Sequence, residues 1–370
     1  MAVKTRATLL RATGAHRPYS ESRPLELVEL DLDGPRENEL LVQVGAAGVC
    51  HSDLSVVDGS RVRPLPMALG HEAAGTVLEV GPGVHDVAVG DMVVLVFIPS
   101  CGRCAECQAG RPALCPLGAA SNGAGLLRGG GSRLSLDGEP VHHHLGVSAF
   151  SDLAVVDRGS AVVVHDVPVE VAALFGCAVL TGVGALHTTV TVRPGESVAV
   201  WGLGGVGLAA VMGAVVAGAN PVVAIDPVPA KRALALELGA THALDVDVDV
   251  RDVVGGGVDV AVEAVGRSAT LATAFAATAR GGTTVSVGLP APGAVLQLPA
   301  LQLVAEARTL VGSYMGSAVP QRDIPALVGL WRAGRLPVER LRTATVGLAD
   351  VNAAFEALAD GSAVRTVLVP

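Results

Sequence analysis

The run Gly202-Leu203-Gly204-Gly205-Val206-Gly207 constrains the fold more than any other stretch of this 370-residue sequence. It stands between an apolar strand candidate, Val198 to Trp201, and an Ala-rich stretch that reads as helix to about Ala217. Glycines at this spacing permit a tight turn and let backbone approach a pyrophosphate, whose charge sits at the positive end of the following helix. Nineteen residues after the last glycine, Asp226 closes a second strand candidate, Val222 to Ile225. A carboxylate there can accept hydrogen bonds from ribose hydroxyls; helix capping is its plainer use. It would also repel a 2′-phosphate, and no Arg follows immediately, so the pattern favours NAD over NADP.

The residues around this motif repeat strand then helix. After a helix over Lys231 to Leu238 come strand candidates at His242 to Leu244, Val258 to Glu263, Thr283 to Val287 and Leu310 to Ser313, six in all. That order predicts an α/β fold with a doubly wound parallel sheet. A chain that is 50% hydrophobic but only 2% aromatic must build its core from Val, Ala and Leu, which suits such a sheet. The first third differs: short Val-rich segments, Leu40 to Val44, Thr76 to Val80 and Met92 to Phe97, alternate with Gly and Pro. It reads as mostly antiparallel β structure in a partly open barrel. The tail from Pro325 reads as helix, strand, helix, strand and is expected to complete this first domain. The expected division is 1–179 with 316–370, and 180–315. The glycine-rich patch Gly123 to Gly131 reads as a loop.

The formal net charge of −9 is spread without blocks, which argues against a nucleic-acid partner. Val198 to Ala219 is uncharged and long enough for a bilayer, but its many glycines and the fingerprint oppose a membrane reading. Residues 1–14 lack the apolar core of a secretory signal, so the expectation is a cytoplasmic protein with reduced cysteines.

Four of the six Cys, Cys101, Cys104, Cys107 and Cys115, follow C-x2-C-x2-C-x7-C, which lets one loop (99–116) wrap four thiolates around a zinc. Four sulfurs close the shell, so this zinc would be structural; an iron–sulfur cluster or two disulfides are the competing uses. Cys50 and Cys177 lie far apart, with Gly70-His71-Glu72 between them. Two Cys and one His could hold a catalytic zinc with its fourth position open, a ligand set already known for alcohol dehydrogenase. Taken singly, each is more often a buried structural residue.

These residues together resemble the zinc-dependent medium-chain alcohol dehydrogenase family, and the resemblance covers essentially the whole chain. Its most specific stretch is Gly70-His71-Glu72-x2-Gly75-x5-Gly81-x2-Val84, which looks like that family's zinc signature. The segment from about Leu117 to Pro140 is similar to the insertion of the longer, dimeric members, which include glutathione-dependent formaldehyde dehydrogenases. The resemblance implies a GroES-like catalytic domain, a Rossmann domain, two zinc ions per subunit, NAD, an alcohol or carbonyl substrate, and a homodimer.

Position by position, the resemblance makes Cys50, His71 and Cys177 the catalytic zinc ligands. Glu72 would lie behind the metal and Asp53 would hold the second nitrogen of His71. Ser52 would take the alcohol proton. Gly202, Gly204, Gly205, Val206, Gly207, Asp226 and Lys231 would bind the adenosine and pyrophosphate side of the cofactor, with Arg365 on the pyrophosphate. Thr181 and the Val287-Gly288-Leu289 turn would hold the nicotinamide, with Val265 a further contact. Phe97, Ala119, Ala120, His144, Leu145, Leu289, Tyr314 and Arg61 would line the substrate pocket.

The sequence departs from the family at several of these places. Ser55 stands where many members carry the His that passes the proton to solvent. His51 stands where relatives often carry a pyrophosphate-binding Arg; it is a weaker cation and a candidate for the absent base. Arg61 and Arg63 fall near the expected pocket mouth, where glutathione-using relatives are acidic, and Ala119 replaces an Arg of those enzymes. An anionic substrate is one reading of the two arginines and plain surface exposure the other. Three rival readings are a formaldehyde dehydrogenase acting on another thiol adduct, a zinc-free quinone reductase of the same fold, and a non-catalytic zinc- and NAD-binding module. Intact cysteines oppose the quinone reductase.

Overall fold

The computed structural model describes residues 3–370. They divide into two compact units, one comprising residues to Cys177 with Val319–Val328 and Arg342–Pro370, the other Ala178–Ala318 with Gly329–Leu341. Residues 329–341, expected with the first domain, group with the second. Their side chains explain it: Arg340 pairs with Glu237, and Arg335 Nη2 donates to the Val216 carbonyl at 3.3 Å.

In the first unit, strands Val3–Leu10, Leu25–Leu32, Leu134–Leu136, Glu139–His143 and Met67–Ala68 close into a small barrel. Alternate residues such as Leu9, Leu30, Leu32 and Val141 face inward and are fully buried, as period-two patterning requires. The other sheet has seven strands, centred on Glu39–Gly48, which pairs with Ala73–Val80, Leu153–Asp157 and Arg365–Val369. Three strand ends therefore meet: Ala47 opposes Ala73, Gly48 opposes Val367, and Gly48 N donates to the Glu72 carbonyl at 2.7 Å. This register brings Cys50, His71, Glu72 and Arg365 together from three separate stretches of chain. The helix Pro116–Ala124 runs into the glycine patch expected as loop and stops at Gly125, whose φ is +66°. Pro116 in its first turn and glycine at its end are ordinary helix boundaries, so Gly123 is helical.

The second unit is a six-stranded parallel sheet in the order His242–Leu244, Val222–Ile225, Val198–Trp201, Val258–Glu263, Thr278–Ser286, Thr309–Gly312. Numbered along the chain this is 3-2-1-4-5-6, the doubly wound order. The fifth strand starts five residues before the sequence reading, because a register shift between Val258 and Val260 lets Thr278 pair ahead of the glycines. The apolar run Val198 to Ala219 is split into a strand and the helix Gly205–Ala217. Among the described residues no single helix is long and apolar enough to cross a membrane.

Candidate metal centres and cofactor site

His71 follows a turn that only glycine fits. Gly70 has φ +97°, and a Cβ there would lie 2.4 Å from Phe150 N. The turn buries His71 to 1% exposure and sets its Nδ1 2.9 Å from Asp53 Oδ2, an atom that is itself fully buried. With Nδ1 facing Asp53, Nε2 is the nitrogen left for a metal, and it makes no hydrogen bond. Cys50 precedes the helix His51–Val57. Cys177 follows Gly176, where a Cβ would strike the Leu95 carbonyl at 2.1 Å. Ligand atoms of Cys50, His71, Glu72 and Cys177 all lie within 4.8 Å of one another, and all four residues are buried.

The electrostatics of this pocket call for a cation. Asp53, Glu72 and two thiols share a dry space with one guanidinium, Arg365, which is 3% exposed and lies 3.7 Å from Glu72 Oε2. The Cys177 contact, followed by Arg365 and His71, lowers the Cys50 thiol well below its usual range against the cost of burial. The shared contact raises Cys177 instead, aided by burial. Burial would lower His71, but Asp53 and Cys50 outweigh it and hold it raised. Two sulfurs and a nitrogen gathered beside buried carboxylates are a donor set that suits a divalent ion, whose charge would offset theirs.

Cys101, Cys104, Cys107 and Cys115 converge as their spacing predicts, with sulfurs within 4.8 Å of one another. None is in a disulfide. The Cys104–Cys115 separation of 3.9 Å is close to the edge, about 3.8 Å, of a tetrahedron with Zn–S bonds of about 2.3 Å. Backbone N–H groups of Cys101 and Cys104 point at Cys115 and Cys101 sulfurs at 3.4 and 3.3 Å. Burial acts to raise Cys101, yet the N–H groups of Arg103 and Cys104 outweigh it and lower the thiol to about 6.

In the second unit the fingerprint forms a cradle. A Cβ on Gly207 would strike the Gly202 carbonyl at 1.7 Å, whereas one on Gly204 would meet nothing within 4 Å. Gly207 is thus needed for packing, and Gly204 leaves open space where a phosphate can approach backbone N–H groups. Asp226, 6% exposed, accepts from Leu203 N at 2.8 Å and from Val228 N at 2.9 Å. These are turn bonds and not helix caps, since no side chain caps Gly205–Ala217 or Pro229–Glu237, and each oxygen keeps a lone pair for a ribose hydroxyl. Arg232, beyond Asp226, is tied down by the Asp226 carbonyl at 2.7 Å and by Asp245 at 2.8 Å.

The other expected site residues are placed unevenly. Val265 borders the fingerprint, since a Cβ on Gly202 would lie 2.6 Å from its side chain. Thr181 and Val287 are buried, while Leu289 and Tyr314 are exposed and Lys231 half-buried. Arg365, expected on the pyrophosphate, donates to the Val49 carbonyl at 3.1 Å and faces Glu72. His51 is exposed and Ser52 half-buried; Ser55 Oγ donates to the Ser52 carbonyl at 2.9 Å, so this hydroxyl is bonded back into its own helix. Phe97 packs edge-on to His71 at 5.6 Å, and Leu145 is buried beside His144. Ala119 and Ala120 are exposed on Pro116–Ala124, and Arg61 is half-buried. His144, expected as a pocket wall, lies 1% exposed against the His71 ring and Asp53.

Sequence reasoning missed the buried carboxylates of Glu39 and Glu263, among others. Glu39 takes Arg133 in a doubly bonded pair at 2.6 and 2.8 Å, both residues essentially unexposed. Glu263 accepts from the N–H groups of Val265 and Gly266 at 2.9 and 2.7 Å and shapes the turn after its strand. Only an acidic residue inside an apolar run signalled either.

A unit with a closed barrel and two sulfur-rich clusters able to hold metal, in one chain with a doubly wound sheet, matches the make-up of a zinc-binding dehydrogenase. A family model described as "Alcohol dehydrogenase GroES-like domain" matches residues 36–166, and one described as "Zinc-binding dehydrogenase" matches residues 205–332. The NDMA-dependent alcohol dehydrogenase of Amycolatopsis methanolica is 39% identical over 376 residues, covering 99% of each chain. The S-(hydroxymethyl)glutathione dehydrogenase of Synechocystis sp. is 37% identical over 95% of this chain and 97% of its own. The crystal structure of benzyl alcohol dehydrogenase from Acinetobacter calcoaceticus superposes with TM-score 0.92 at 32% identity, covering 99% of both chains. The chain belongs to the zinc-dependent medium-chain alcohol dehydrogenase family.

Proposed function

We propose that the chain interconverts an alcohol and its aldehyde or ketone, with hydride passing to and from NAD, and that it carries two zinc ions, one catalytic and one structural. The observation that carries the reading is the buried set Cys50, His71 and Cys177, with His71 Nε2 making no hydrogen bond and Nδ1 facing Asp53. Bound there, zinc supplies the Lewis acidity that makes an alcohol acidic or a carbonyl electrophilic. Glu72 stands within reach of the same position, its charge balanced by Arg365, and can assist ligand exchange.

Phe97 and Leu145 give the pocket an apolar wall that excludes water, and a broad alcohol range follows because such walls discriminate weakly. Ser52 accepts the alcohol proton; with Ser55 engaged by its helix, His51 is the next group able to carry it outward. The open side of Gly204 takes the pyrophosphate, and Asp226 takes the ribose and repels a 2′-phosphate, which selects NAD. Thr181, Val265, Val287 and Leu289 hold the nicotinamide, and Lys231 serves the adenosine end. Arg365 serves the pyrophosphate.

We propose domains at 1–179 with 316–370 and at 180–315, with residues 329–341 following the second. A homodimer is supported by the open sheet edge Thr309–Gly312 and by the neighbouring Leu301 and Val304, 77% and 80% exposed. Cytoplasmic residence is supported by six free cysteines. The second reading is a thiol-adduct formaldehyde dehydrogenase, favoured by the name of the Synechocystis relative. NADH absorbance, followed on a panel of alcohols with and without thiol and chelator, decides between them. Chelator-sensitive NADH formation without thiol supports the alcohol reading, and turnover confined to thiol adducts supports the second. Bound zinc and NAD with no turnover would make the protein a binding module.

A further inference from the structure

The charge on Asp53 is fully buried, and among the described residues its only ion-pair partners are two imidazoles. Its Oδ2 lies 2.9 Å from His71 Nδ1. Its Oδ1 receives Gly70 N at 3.1 Å and lies 3.4 Å from His144 Nε2. A carboxylate out of reach of water, Lys and Arg persists only where dipoles are aimed at it. His144 Nε2, buried and with no hydrogen bond of its own, is one of the three groups gathered around it. At 3.4 Å the contact is longer than a well-formed hydrogen bond, but in a dry site the attraction between carboxylate and N–H is stronger than in water.

The chain around His144 is fastened to the strand that carries His71. His144 N donates to Ser148 Oγ at 2.9 Å, and Ser148 Oγ donates to the Ala68 carbonyl at 2.8 Å. Ala149 N and Phe150 N reach the Gly70 and Leu69 carbonyls, each at 3.0 Å. Leu145 and Ser148 adopt φ of +51° and +52°, conformations that cost energy for residues with a side chain. Three bonds to residues 68–70 and one within the loop hold the imidazole in one place, edge-on to the His71 ring at 5.6 Å.

We propose that His144 is a positioning residue for the metal-binding histidine: it steadies Asp53, and Asp53 in turn fixes the ring of His71. His144 then governs how tightly one metal ion is held and in what geometry, and is not primarily a wall for the substrate. This rests on the reading of Cys50, His71 and Cys177 as a zinc site.

The test uses holoenzyme carrying both zinc ions, with His144→Phe, which keeps an edge contact but has no donor, and His144→Gln, whose amide nitrogen can occupy the place of Nε2. Zinc release to a chromogenic chelator and the visible spectrum of cobalt-substituted protein are read alongside the melting curve. His144→Phe is expected to release one of its two zinc ions faster, on the order of tenfold, with altered cobalt bands. The four-cysteine zinc should leave at the wild-type rate, and His144→Gln should restore both signals. Wild-type release and spectrum in His144→Phe, with only Michaelis constants changed, would make His144 a pocket residue and overturn the proposal. Equal acceleration in both variants with a lowered melting temperature would also overturn it. Wild-type protein that binds only the four-cysteine zinc would sink the underlying site instead.

Discussion

At Asp226 one carboxylate serves two backbone N–H groups and remains open to a ribose, so its substitution acts on cofactor choice and loop shape together. Asp226→Asn is expected to raise the Michaelis constant for NAD roughly tenfold to a hundredfold, the worth of about 1.5–3 kcal/mol for a hydrogen bond to a charged group. It should also narrow the preference over NADP. Initial rates with both cofactors check this, and an unchanged ratio would show that discrimination lies elsewhere. His71→Ala removes one nitrogen ligand and leaves Asp53 facing no metal-bound imidazole. Zinc content should fall from two to one per chain, and kcat/KM by about a thousandfold or more, since Lewis acidity is worth several kcal/mol. A variant with full zinc content and normal turnover would refute the assignment. Arg61→Ala tests the anionic-substrate reading: if acidic and neutral alcohols keep the same ratio of Michaelis constants, the arginine plays no part in recognition.

Among the elements, the cysteine lobe and the glycine turn were legible because their chemistry is local. Cys101 to Cys115 need only one loop to meet, and Gly202 to Gly207 need only a strand before and a helix after. Cys50, His71 and Cys177 were legible only through resemblance, because a shared register of distant strands brings them together. No local pattern encodes that Ala47 opposes Ala73. Arg133 and Glu39 were illegible for the same reason, and His144 read as a pocket residue because its contact with Asp53 is made across the fold. Arg133→Met strands a buried carboxylate and should destabilise the protein by about 3–5 kcal/mol, with the Glu39→Met, Arg133→Met double variant recovering much of the loss. Denaturant unfolding of the single and double variants measures this; an additive double variant would mean the pair does not interact.

For the whole molecule, two units of different architecture arise because the chain leaves the first after Cys177 and returns at Val319 and again at Arg342. The strand Arg365–Val369 then pairs with Glu39–Gly48 and sets Arg365 over Glu72. This connectivity orders events during synthesis. A ribosome has finished Cys50, His71 and Cys177 long before it makes the strand that neutralises and covers them. Until then the nascent chain presents an open sheet edge and acidic thiol ligands without their guanidinium, a state open to premature oxidation, to the wrong metal and to chaperones.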